Sequence, residues 1–138
     1  MTRLIKSLLH LNGWVAVLIG SFIVINPVSM LASYGLQSDL SAALLSELRA
    51  PGGLLIVCGL AIVQSTLSAD SMRRGLILSV MLYGSYGSVR VLGIVIDGMP
   101  ATGILMATAI ELILCVVSII TLTISHKRHR NLVPALTS

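Results

Sequence analysis

The chain has 138 residues, 56% of them hydrophobic and 10% charged, with a mean hydropathy of +1.00 and a formal charge of +4. A soluble domain usually carries about 25% charged residues, so this composition excludes an ordinary soluble globular domain. So small a charge on so apolar a chain does not suggest a nucleic-acid-binding surface, and the basic residues matter through their placement.

Residues 1–10 form a basic head containing Arg3, Lys6 and His10. The apolar run over 11–33 predicts a first membrane span. Further apolar runs follow it, where a cleaved signal peptide would give way to a polar mature chain, so it reads as a retained helix. Asn12 and Trp14 are expected at its inner interface. Pro27 removes a backbone donor and is expected to kink or divide the helix. Asn26 before it is placed to satisfy a freed carbonyl or to face the bundle interior.

The longest stretch outside the spans follows. Tyr34-Gly35 breaks the first helix, and Ser38 or Asp39 can cap a short one. Leu40, Leu44, Leu45 and Leu48 have roughly helical spacing, which predicts a short interfacial helix. The second span is expected over 50–67, with Pro51 in its first turn. Gly52, Gly53, Gly59 and Ala61 would let another helix approach closely. A tight loop with Asp70, Arg73 and Arg74 leads to a third span over 75–96. There Gly84, Gly87, Arg90 and Gly93 recur by threes, close to one face. Asp97, Gly98 and Pro100 form the outer turn. The fourth span, 103–125, contains Glu111 as its one ionisable residue, and 126–138 is a basic tail.

These elements predict an all-α polytopic membrane protein: a single four-helix transmembrane bundle with a short interfacial helix between helices one and two. Seven of the nine Lys and Arg residues (Arg3, Lys6, Arg73, Arg74, Lys127, Arg128 and Arg130) fall in the head, the second loop and the tail. Four spans put all three segments on one side, and the positive-inside rule makes that side cytoplasmic. The expected location is the bacterial inner membrane with both termini inside.

An arginine within an apolar run implies a partner, and Glu111 lies at a similar depth on the neighbouring antiparallel helix. The expected polar set is Arg90 and Glu111 with Asn26 in the same outer half, capped by Glu47, Arg49 and Asp97. It reads either as a structural pin or as the lining of a pocket for a small anion, a lipid headgroup or a quinone-like ring. No catalytic constellation, cofactor or metal site is expected. His126 and His129 belong to the basic tail, and Cys58 and Cys115 read as small apolar residues, with an interhelical redox pair as the alternative.

The chain resembles the small bacterial four-helix membrane proteins grouped as the domain of unknown function DUF4345. The resemblance rests on Glu47-Leu48-Arg49 with Gly52-Gly53, Arg74-Gly75, Arg90 with Gly93, Asp97-Gly98-Met99-Pro100, and Glu111, and covers roughly residues 8–125. It implies four spans and a recurring polar set, and no activity. More distantly the chain is similar to DoxX-like four-helix membrane proteins, a likeness of fold alone. The leading expectation is a small inner-membrane scaffold or accessory subunit that contacts lipids and assembles with itself or a larger complex. The alternatives are a lipid- or small-molecule-binding protein with a site in the outer half, and a membrane redox protein or enzyme.

Overall fold

The computed structural model describes residues 2–33 and 41–132. The protein is all-α, with four long apolar helices: α1 (Thr2–Ile25), α3 (Ala42–Gln64), α4 (Ala69–Asp97) and α5 (Thr102–Leu132). A short α2 (Pro27–Ser33) lies between the first two long helices, and a 3₁₀ turn, Ser65–Leu67, joins α3 to α4. Each long helix carries a stretch apolar enough to cross a membrane. The bundle's outer surface is apolar too: Leu18, Val57, Met81 and Val95 are all well exposed, which suits hydrocarbon rather than water.

The short helix lies earlier than the leucine spacing suggested. Pro27 ends α1 at Ile25 and opens α2, because it cannot donate to the carbonyl one turn back. Leu44, Leu45 and Leu48 belong instead to the first two turns of α3. Ser41 caps that helix, its Oγ accepting from the Leu44 N–H at 3.2 Å, and α3 then runs on through Pro51. The alternative caps Ser38 and Asp39, with Tyr34, Gly35 and Leu40, lie outside the described residues. The helices also outrun the apolar stretches: α1 begins within the basic head and α5 continues past residue 125. Hydropathy marks the part of a helix that suits lipid. Lys and Arg are good helix formers and extend it.

Two antiparallel hairpins make up the bundle. In the first, α1 and α3 meet backbone to backbone. A Cβ built on Gly20 would stand 2.6 Å from the Gly52 carbonyl oxygen, and one built on Gly13 would stand 2.7 Å from that of Gly59. The reverse contacts are equally close. Each helix thus carries two glycines seven residues apart, in facing register, and Ala16 and Leu55 are buried between them. In the second hairpin, Gly84 faces the Cys115 sulfur and Gly87 faces Leu112 across the α4–α5 contact.

The hairpins join near the side that holds the chain's N-terminal end and the 3₁₀ turn. There the Ser65 side chain occupies the space a Cβ on Gly75 would need, with Leu9 packed beside it. Leu9, Ile62 and Leu76 are almost completely buried in this region. Towards the opposite side α4 buries nothing beyond Gly87.

Gly20→Ala and Gly59→Ala should therefore each destabilise the protein by about 1–3 kcal/mol, because the backbones must move apart. Gly53, with nothing within 4 Å of a Cβ, should accept alanine with no loss. Thermal unfolding in mild detergent checks the contrast.

Candidate functional site

Two polar centres lie inside the bundle. The first is Asn12, which is completely buried on α1. Its Nδ2 donates to Ser118 Oγ on α5 at 2.9 Å, and the Ser118 hydroxyl in turn donates to the Leu114 carbonyl at 2.7 Å. The Tyr83 hydroxyl, on α4, donates to the Asn12 backbone oxygen. One residue of the first hairpin is thereby bonded to both helices of the second. The sequence reading placed Asn12 at an interface. An uncharged side chain gives no sign that its partner lies on a helix more than a hundred residues away, and a lone asparagine in an apolar run was the available signal.

The second centre is Arg90 with Glu111. Arg90 Nε donates to Glu111 Oε2 at 3.1 Å, with the two side chains 24% and 11% exposed. The small face of α4 makes this possible. Gly84 and Gly87 let α5 come close, and Arg90 follows one turn later on the same side. The same antiparallel register that sets Gly84 against Cys115 and Gly87 against Leu112 sets Arg90 against Glu111. Gly93, the next position in that series, meets only Asp97 of its own helix, at 3.9 Å.

The remaining members of the expected polar set take other positions. Arg49 Nε donates to the Val24 carbonyl at 3.1 Å. That carbonyl lies in the last turn of α1, beside the break made by Pro27, where a cation also suits the helix dipole. Asn26 is exposed and uses its backbone, donating to Phe22 O at 2.9 Å and accepting from Met30 N at 3.1 Å. Glu47 and Asp97 are exposed. Among the described residues, Arg90–Glu111 is the one ion pair.

Both cysteines are free thiols. Cys115 points its sulfur at the Val80 carbonyl, 3.8 Å away on α4. Among the described residues, no three His, Cys, Asp or Glu side chains come together as metal ligands would.

The Arg90–Glu111 contact is single-pronged. A guanidinium carries five N–H donors in a fixed fork, and the carboxylate engages Nε alone. The two terminal nitrogens have no hydrogen-bond partner among the described residues. This arrangement holds a cation in place while leaving most of its donors unspent.

One family model, that of the domain of unknown function DUF4345, matches residues 4–122. No curated protein and no solved structure matches the chain.

Removing either member of the pair leaves a poorly solvated partner, and such single deletions cost more than removing both. A double-mutant cycle of Arg90→Ala and Glu111→Ala should give a coupling of about 1–3 kcal/mol, read from unfolding in detergent. Arg73→Ala, which removes an exposed cation with no partner among the described residues, should leave stability unchanged.

Proposed function

The chain belongs to the DUF4345 family, a domain of unknown function, and from the geometry of Arg90 we propose that it is a small membrane protein that binds an anionic group in the half of the bundle remote from the termini. The ligand class is a phosphate or carboxylate carried by a lipid headgroup or a small amphiphile. The observation that carries this reading is the unspent guanidinium fork. Arg90 is oriented by Glu111 through Nε, and its terminal nitrogens remain for a planar, bidentate partner.

Position supports the same reading. Arg90 is seven residues from the end of α4, or about 10 Å by helical rise, within reach of a headgroup or of a long side chain extending to the interface. The helix is uncovered there: Val89, Leu92, Val95 and Ile96 are all exposed, so a ligand enters from the lipid without passing through the bundle. The positive-inside bias supports assigning this half to the outer leaflet of an inner membrane, with both termini cytoplasmic.

A second reading, a scaffold or accessory subunit, draws on the face of α3 around Gly53. The glycines that favour close helix packing are mostly used within the chain, by α1 against α3 and by α4 against α5. Gly53 is not, and Val57 and Leu60 beside it are exposed. A helix of a second protein fits there. Particle mass in mild detergent bears on this reading directly.

Native mass spectrometry with added lipids tests the ligand reading. Wild-type protein should retain an anionic phospholipid or a fatty-acid carboxylate over a neutral diacylglycerol. Arg90→Ala should reduce retention at least tenfold. Arg90→Lys, which keeps charge and loses the fork, should fall between. Equal retention by wild type and Arg90→Ala at the site, with both folded, would sink the proposal.

A further inference from the structure

An open groove lies at the other end of the molecule, and its chemistry is independent of Arg90. It has a volume of about 360 Å³ and lies between the end of α3, the 3₁₀ turn and the start of α4. Gln64, Ser71 and Arg74 supply polar groups at its mouth, Ser65, whose hydroxyl is bonded to the Ile62 carbonyl, lies at its back, and Ala61, Leu67 and Leu78 supply apolar walls. We infer that this groove seats one anionic phospholipid, its phosphate on Arg74, Ser71 and Gln64 and an acyl chain along Ala61 and Leu78.

The polar groups at the mouth are donors still available. Ser68 caps α4: its Oγ accepts from the Ser71 N–H at 3.3 Å and donates its own proton to Ser71 Oγ at 2.7 Å. Ser71 is therefore an acceptor within the cap, and its O–H remains to be donated. The Gln64 amide and the Arg74 guanidinium have no partner among the described residues. Asp70 lies one turn before Arg74 but forms no ion pair with it among the described residues, and no carboxylate lines the groove. Three donors, one from the end of α3 and two from the first two turns of α4, with no carboxylate in the lining, select an anion.

The polar and apolar parts are ordered along the membrane normal. The helices are antiparallel, so Ala61 on α3 and Leu78 on α4 both lie further into the bilayer than Gln64 and Arg74. The offsets are three and four residues, or about 5–6 Å by helical rise. A groove with donors at its mouth and hydrocarbon walls above matches a phospholipid's own polarity. A free phosphate would use only the mouth. The back of the groove is fixed, because Gly75 is held against Ser65, whose Oγ bonds the Ile62 carbonyl at 2.6 Å.

The test is native mass spectrometry of the full chain in mild detergent, titrated with phosphatidylglycerol, phosphatidylcholine and glycerol 3-phosphate. In the Arg90→Ala background, which removes the Arg90 site, one phosphatidylglycerol should be retained in preference to phosphatidylcholine, and excess glycerol 3-phosphate should not displace it. Arg74→Ala should weaken retention about fivefold, the effect of losing one cation near the bilayer surface. Ala61→Phe should do the same by filling the groove with every charge intact, so the result stands even if an arginine variant folds poorly. Arg73→Ala, whose residue is exposed but does not line the groove, should retain lipid like the wild type. Equal weakening by Arg73→Ala and Arg74→Ala would reduce the effect to general surface charge and overturn the groove. Displacement by glycerol 3-phosphate would overturn the lipid in favour of phosphate alone. Arg90→Ala should leave this binding intact, so failure here and failure of the Arg90 site are separately visible.

Discussion

The bundle depends on the bonds that Asn12 makes across it. In hydrocarbon, apolar side chains gain little by leaving lipid for protein, so helices associate through close packing and hydrogen bonds. The glycine contacts satisfy the first need inside each hairpin. Between hairpins, a buried amide on α1 reaches Ser118 on α5 while a tyrosine on α4 bonds the same residue's backbone. These bonds fix rotation as well as proximity, since turning α1 by one residue would carry Asn12 away from both partners. Asn12 Oδ1, buried and without a partner among the described residues, means that the join is held at a cost.

Because the join lies towards the side with the N-terminal end, the rest of the molecule differs along its length. Near the 3₁₀ turn, α4 is buried by residues from the first hairpin: Met72, Leu76 and Ser79 have almost no exposure. Beyond Gly87 it meets α5 on one face and is otherwise uncovered. Arg90 stands in that uncovered stretch. A buried ion pair in the closed part would be costly to form and hard to reach. In the open part the arginine is partly accessible, and Glu111 needs to hold only one of its nitrogens.

The features legible in the sequence were those that depend on local composition. Four apolar stretches correspond to four long helices, and of the threefold series Gly84, Gly87, Arg90 and Gly93 the first three mark the face that meets α5, while Gly93 does not reach it. The Arg90–Glu111 pair followed because each residue is conspicuous in an apolar run and a short turn joins their helices. Asn12 with Ser118 escaped because neither is charged and sequence distance gives no cue. Gly52 and Gly59 were legible as sites of close helix approach, but their partners on α1 escaped because that signal is relational. Gly13 and Gly20 mean little until set against Gly52 and Gly59 at the same interval of seven. Arg49 escaped for a different reason: its partner is a backbone carbonyl, a group present at every position.

Three arginines show how the fold decides what a cation can do. Arg49 lies beside a helix end whose carbonyl lacks its usual donor, and its Nε is used to fill that gap. It restores backbone hydrogen bonding that lipid could not supply. Arg90 lies within an apolar helix, where an unpaired guanidinium is unfavourable by about 2.5–3.5 kcal/mol at the centre of a span. Glu111 reduces that cost through one nitrogen and leaves the rest of the fork open. Arg74 stands at the start of α4, beside a capped helix turn, with no acidic partner among the described residues and a groove at its side. Sequence alone presents three arginines near apolar runs. The distinction between repairing backbone, pairing with a carboxylate and remaining available comes from what each neighbouring element lacks, and it places the two candidate ligand sites at opposite ends of one small bundle.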